Sequence, residues 1–346
     1  MTGIVSDDDR RFSRYALAMR LLLLFMTLVA LPAALSAAED LGSQAWNFDL
    51  PVDGVAVPVC VRAPAHPPAT ACPVIIFSHG LGGSREGYWP LAEAWAAAGF
   101  VVIQPTHAGS DTQTLRDAGL LSFKSAARDA LSDPAVLAGR PLLIHRLIDL
   151  LPEIARRLDG FSGTLDATRI GVGGHSYGAW TTLAVAGVQY RIPGHPESLV
   201  DPRPLAFLAM SPPGPGAGST TDQWSAATRP LLVMTGTEDH QPGFADPGDG
   251  IERDMAWRVQ TWSQVPPGDK VLAVLLGAHH CAFSNGQGAR LTGEPQPEPW
   301  IGPCLAITTT AWWKAWLSND APALASIRDG LAVPADDRQK VRWQIR

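Results

Sequence analysis

The stretch Arg169-Ile170-Gly171-Val172-Gly173-Gly174-His175-Ser176-Tyr177-Gly178-Ala179-Trp180 reads as a β-strand running straight into a helix, with Gly174-x-Ser176-x-Gly178 at the junction. A serine hydroxyl attacks a carbonyl only if it stands clear of its own backbone, so the chain must turn sharply there. Glycines two residues to either side let strand and helix approach closely. The run before the motif is apolar and Ala179 to Val188 is alanine-rich and helical in character, the strand-turn-helix setting that such an elbow needs. Ser176 is therefore the candidate nucleophile, against the alternative of a glycine-rich turn holding a structural serine.

Working outward, strand-like and helix-like stretches alternate. Val55 to Val61, Val74 to Ser78, Phe100 to Gln104, Ile170 to Gly173, Leu205 to Met210, Leu231 to Thr235 and Val271 to Leu276 read as strands. Helical stretches are Tyr88 to Ala98, Leu142 to Leu158, the segment after Ser176, Glu252 to Val265 and Ala306 to Leu317. This order predicts an α/β fold, a mostly parallel central sheet flanked by helices on both faces, in one domain over residues 39–346. Ala108 to Arg140, Ser211 to Thr221 and Gln241 to Gly250 show less regularity and read as insertions at strand ends, able to wall a pocket.

Sites in such sheets form at the carboxyl ends of strands. A serine nucleophile needs a base and the base an orienting acid, in the chain order serine, Asp or Glu, histidine. Leu231 to Thr235 is followed by Gly236-Thr237-Glu238-Asp239, with Asp239 the first choice of acid and Glu238 the second. Val271 to Leu276 is followed by Gly277-Ala278-His279-His280, with His280 preferred over His279 as base. Val74 to Ser78 delivers His79-Gly80-Leu81-Gly82-Gly83, a turn of small residues whose amides can face an oxyanion; the N–H groups of Leu81 and Tyr177 are the candidate pair. His79, Gly80, His175 and Trp180 are candidates for contact with substrate, and His79 is better suited to holding its turn by hydrogen bonding than to proton transfer. His66, His107, His145, His195 and His240 lack metal-ligand spacing, and Asp246, Asp249 and Asp254 miss the calcium-loop pattern, so neither metal nor cofactor is expected. Trp312, Trp313 and Trp316 fall at helical spacing and read as core.

A net charge of -6 without a basic cluster argues against nucleic acid as partner, and 46% hydrophobic against 17% charged residues mark a chain that buries a sizeable core. Arg10, Arg11, Arg14 and Arg20 precede the apolar run Leu21 to Leu31, and Ser36-Ala37-Ala38 then offers small residues for cleavage. Residues 1–38 read as a signal peptide whose removal leaves no stable membrane anchor, so a periplasmic or secreted location is expected. Cys60, Cys72, Cys281 and Cys304 suit an oxidising compartment, with Cys60 to Cys72 and Cys281 to Cys304 the favoured pairing and four buried thiols the alternative.

Phe77-Ser78-His79-Gly80-Leu81-Gly82-Gly83 with Gly174-His175-Ser176-Tyr177-Gly178 resembles the α/β-hydrolases of the platelet-activating factor acetylhydrolase and dienelactone hydrolase-like group, and Gln104-Pro105-Thr106-His107-Ala108-Gly109-Ser110-Asp111 adds to the likeness. Gly277-Ala278-His279-His280 is similar to the histidine loop of cutinase-type polyester hydrolases, which carry a disulfide near their C-terminus. Two departures matter. Dienelactone hydrolases proper use cysteine where this chain has Ser176. Plasma-type acetylhydrolases place their acid after the strand that follows the nucleophile helix, and here that strand ends Leu208-Ala209-Met210-Ser211 without a carboxylate, which moves the acid to Asp239. The resemblance implies cleavage of carboxylic esters of short-chain acyl, lipid or polyester type through an acyl-enzyme. An amidase or peptidase using the same three residues, or a non-catalytic binding protein on the scaffold, is the alternative.

Overall fold

The computed structural model describes residues 42–346 apart from 197, 217, 220, 244–249 and 251. The expected signal peptide lies outside them. Ser43–Arg346 form one compact unit.

The strands are β1 (Ser43–Val52), β2 (Val55–Pro64), β3 (Cys72–Ser78), β4 (Val101–Pro105), β5 (Leu165–His175), β6 (Ala206–Met210), β7 (Leu231–Glu238), β8 (Lys270–His279) and β9 (Val341–Ile345). They form one sheet in the order β1-β2-β4-β3-β5-β6-β7-β8-β9. The run from β4 to β8 is parallel, while β1, β2 and β9 are antiparallel additions at the edges. The helices are α1 (Trp89–Ala97), α2 (Thr112–Asp117), α3 (Gly119–Ser132), α4 (Pro134–Asp149), α5 (Leu151–Arg156), α6 (Tyr177–Ala186), α7 (Met255–Gln264), α8 (Ala289–Thr292), α9 (Ile301–Leu317) and α10 (Ala321–Arg328).

The central strands are apolar at successive positions because both faces are covered, and their side chains sort by parity into two cores. Val74, Ile76, Val172, Phe207, Ala209 and Val233 join one core with Ile144 and Leu147 of α4 and Leu183 of α6. Ile75, Phe77, Leu208, Met210, Leu232 and Met234 join the other with Trp95 of α1 and Trp312 and Trp313 of α9; Trp312 and Trp313 are core, as their spacing predicts, and Trp316 packs partly buried against them.

Three expectations are corrected here. Ala108 to Arg140 is mostly helical: Asp111 caps α2 through the Gln113 and Thr114 N–H groups and Asp133 caps α4 through that of Ala135. The single helix expected over Leu142 to Leu158 is instead α4, starting at Pro134, followed by α5, and Pro152 stands in the first turn of α5, where its missing N–H costs nothing. The disulfides are absent and all four cysteines are buried free thiols. The cause for Cys60 and Cys72 lies in the topology, because β4 intervenes between β2 and β3. Cys281 and Cys304 keep to themselves, their sulfurs 3.5 Å from Thr292 Oγ1 and 3.9 Å from Thr308 Oγ1. Asp254 caps α7 through the Trp257 N–H, which accounts for that aspartate without a metal ion.

Candidate active site

Ser176 sits between β5 and α6 with φ 55° and ψ −115°, a backbone conformation unfavourable for any side chain but compelled by the turn. The glycines of the elbow are required by contact. A Cβ at Gly178 would collide with the Ser78 carbonyl, and one at Gly174 with the backbone of Gly178, so no larger residue lets α6 start this close to β3 and β5. From this turn the Ser176 hydroxyl lies 2.8 Å from His280 Nε2.

The candidate acid and base reach one another for a similar reason. A Cβ at Gly236 would collide with the Ala278 carbonyl, so the ends of β7 and β8 pack at a separation only glycine permits. His280 Nδ1 then stands 3.0 Å from Asp239 Oδ1. Asp239 is fully buried, whereas Glu238 is exposed; His279 turns away to Glu294, its Nδ1 2.8 Å from Oε2. Of the two pairs of alternatives, Asp239 and His280 are the ones brought into contact with each other, and His280 also with Ser176. Burial alone would raise the Asp239 carboxyl, but the Arg258 guanidinium 2.9 Å away, with hydrogen bonds from His280 and Thr235, holds it well below the usual carboxylate range.

The turn after β3 is fastened on two sides. Gly82 N–H donates to the Ser110 carbonyl and Thr112 N–H to that of Gly83, which joins the turn to the loop after β4. Below it lies Arg140, a wholly buried guanidinium from α4. It donates to the His79 carbonyl, to Ser110 Oγ at 2.8 Å and to Thr181 Oγ1 at 2.9 Å, and it lies over the Tyr177 ring at 4.3 Å. Arg140 thus touches Tyr177, which carries one candidate oxyanion donor, and His79, two residues before Leu81, which carries the other. Gly80, Gly82 and Gly83 spend their N–H groups within the protein, while among the described residues no backbone acceptor takes that of Leu81. The Tyr177 N–H, at the first position of α6, has no intrahelical acceptor.

Two histidines brace these parts in neutral form. His79 Nε2 accepts the His107 N–H at 3.0 Å, so its proton is on Nδ1, which donates to the Gly80 carbonyl. Burial, reinforced by Arg140, lowers it to about 3. His175 Nε2 donates to the His280 carbonyl at 3.0 Å, and burial with the neighbouring His280 pushes its pKa well below the ordinary value. Gly80, Leu81, His175, Ser176, Tyr177 and Trp180 line a cavity of about 950 Å³, further walled by Leu115, Phe123, Leu131 and Leu137 from the helical insertion. His79 is not on that wall and holds the turn instead, a correction to its place among the substrate contacts.

Sequence reasoning missed five participants: Tyr88, His107, Arg140, Ser211 and Arg258. Ser211 alone carried a readable signal, since it directly follows a strand on the side of the sheet where sites form. The buried arginines lie on helices whose polar positions look like solvated faces.

The parallel sheet, covered by helices on both faces and turning sharply into a helix at Ser176, is the α/β-hydrolase fold. Residues 30–117 match the family model described as platelet-activating factor acetylhydrolase, isoform II, so the chain is similar to that family through β1 to α2, the segment holding the turn after β3. No curated protein matches the chain significantly.

Proposed function

We propose that this protein is an exported serine hydrolase that cleaves carboxylic esters through an acyl-enzyme, with Ser176 as nucleophile, His280 as base and Asp239 as its orienting acid. The observation that carries the reading is the continuous set of contacts from Ser176 Oγ through both nitrogens of His280 to the buried Asp239. His280 Nε2 takes the Ser176 proton as Oγ attacks the ester carbonyl, and Asp239 stabilises the imidazolium. The Leu81 and Tyr177 amides receive the negative charge that develops on the carbonyl oxygen. Collapse expels the alcohol, which takes the proton from His280. Water, deprotonated by the same nitrogen, then releases the acid and restores Ser176.

The matched family is named for an acetylhydrolase, which favours a small acyl group, and the apolar wall of Leu115, Phe123, Leu131 and Leu137 suits a hydrophobic portion of the ester. Export rests on the arginine-led apolar run before Ser36-Ala37-Ala38. Among the described residues no helix is long and apolar enough to cross a membrane.

The test is turnover of p-nitrophenyl esters of increasing acyl length by residues 39–346, with Ser176→Ala alongside, and labelling by a fluorophosphonate, which reacts only with an activated serine. Turnover and labelling that both vanish in Ser176→Ala support the proposal. A folded wild-type protein with neither would overturn it.

A further inference from the structure

Three groups crowd His280 Nδ1. Asp239 Oδ1 at 3.0 Å can only accept a proton, Arg258 Nη2 at 3.2 Å can only donate one, and Ser211 Oγ at 2.7 Å can do either. A neutral imidazole has one proton to place. If Nδ1 accepts from Arg258, the proton sits on Nε2 and points at Ser176, and His280 cannot serve as base. If Nδ1 keeps the proton, Nε2 presents a lone pair to the Ser176 hydroxyl. The direction of one hydrogen bond therefore decides whether the site is competent.

Ser211 is placed to decide it. Its Oγ is 2.9 Å from Asp239 Oδ1, and because a carboxylate only accepts, the Ser211 proton goes there. That leaves the Ser211 lone pairs facing Nδ1, so the imidazole proton finds two acceptors against a single cationic donor. Arg258, which donates to the Ser211 and Pro212 carbonyls and to that of Asp239, then acts on the acid and its loop.

The backbone is strained to put the hydroxyl there. Ser211 follows β6 with φ 49°, a left-handed conformation that glycine would adopt freely, yet a serine occupies it and is wholly buried. Its N–H is committed to the Met234 carbonyl at 2.7 Å, which fixes the direction of the side chain. Strain retained at a non-glycine residue inside a site points to a function for its side chain.

We propose that Ser211 is a positioning residue whose hydroxyl bridges Asp239 and His280 and holds the imidazole in the tautomer that leaves Nε2 able to take the Ser176 proton. The proposal rests on the serine-hydrolase reading above. It further holds that this hydroxyl, and not the carboxylate alone, keeps Arg258 from claiming Nδ1.

Two variants separate chemistry from folding. Ser211→Ala removes the hydroxyl and keeps the backbone strain, whereas Ser211→Gly removes both. The expected result is that Ser211→Gly melts at a higher temperature than Ser211→Ala, while both lose about 10- to 100-fold in kcat on p-nitrophenyl acetate with KM within about twofold of wild type, the scale of a hydrogen bond to a charged pair. Imidazole ¹⁵N spectra at neutral pH are expected to show His280 with a bare Nε2 in wild type and a mixture of tautomers in both variants. Wild-type kcat in either folded variant, or an unchanged tautomer, would overturn the proposal. A wild-type protein without turnover or fluorophosphonate labelling would instead defeat the serine-hydrolase reading, so the two failures are distinguishable.

Discussion

The Tyr88 hydroxyl donates to His175 Nδ1 at 2.8 Å while accepting the Gly80 N–H at 3.2 Å. Because His175 donates its one ring proton, on Nε2, to the His280 carbonyl, one chain of hydrogen bonds runs from the turn after β3 to the backbone of the candidate base. Nothing in it titrates near neutrality, since burial raises the Tyr88 phenol and lowers His175. The chain is a fixed strut.

Tyr88→Phe cuts that strut and leaves His175 Nδ1 and the Gly80 N–H buried without their partner. The expected cost is about 1–3 kcal/mol of stability for each stranded polar group. Ester turnover is expected to fall about tenfold through kcat as the turn loosens, on the scale at which small misplacements slow a reaction. Denaturant titration and steady-state kinetics on the same preparation check both. Full kcat with reduced stability would show that the strut serves folding only.

Among the described residues no carboxylate pairs with Arg140, so its buried charge is held by neutral acceptors and by the face of Tyr177. Burial still lowers its pKa only to about 10, and it remains a cation at neutral pH. Arg140→Met of similar length strands the acceptors at His79, Ser110 and Thr181, and is expected to cost about 2–5 kcal/mol. It also frees the two segments bearing the Leu81 and Tyr177 amides to shift, for which about a hundredfold loss in kcat is expected. Arg140→Lys keeps the charge but not the planar fork and is expected to fall between the two. Kinetics with KM separated from kcat, together with a melting curve, tests this; an unimpaired Arg140→Met would refute it.

His79, His107 and His175 are all buried with pKa values driven down, first by burial and then by nearby cationic or imidazole neighbours. In the unfolded chain each protonates near pH 6.5, so below that value the unfolded state binds more protons and is favoured as pH falls. Each histidine then contributes a loss on the order of 2 kcal/mol at pH 5 relative to pH 8. Asp239 adds a loss of the same sign, but only below about pH 4, where unfolded carboxylates protonate. The melting temperature is therefore expected to drop steeply between pH 7 and pH 5 at constant ionic strength, and less steeply in His107→Asn. A flat profile over that range would mean that the three imidazoles are not held neutral.

How much of this was legible in the sequence follows from which forces are local. The elbow, the turn after β3 and the loops bearing Asp239 and His280 announce themselves because each is a strand end punctuated by glycine, and the glycines are there to satisfy close backbone contacts. Apolar strands buried on both faces are equally readable, and β3, β6 and β7 fall where their composition places them. The edge strands β1 and β9 escape because one side of each faces solvent and their residues are mixed, as in Asn47, Asp49 and Arg342. Arg140, Arg258 and Tyr88 escape because their roles are set by partners 8 to 87 residues away, and no spacing rule connects Tyr88 to His175.

The cysteines give the last test, since an even number of them in a chain proposed to be exported invites disulfides. Crossing from β2 over β4 to β3 takes two strand spacings, about 9–10 Å before any offset along the strands, beyond the reach of a disulfide between Cys60 and Cys72. The thiols are also protected chemically, because burial raises Cys60 and Cys72 and pushes Cys281 up to about 12 and Cys304 to about 11, which leaves almost no thiolate for oxidation or exchange at neutral pH. Protein recovered from an oxidising compartment and unfolded in guanidinium without reductant is therefore expected to react with four equivalents of Ellman's reagent, and the native protein with almost none. Dithiothreitol is expected to leave the melting temperature unchanged. Two missing equivalents with a reductant-sensitive melting temperature would place a bridge in the protein, and by the strand order it would not be Cys60 to Cys72.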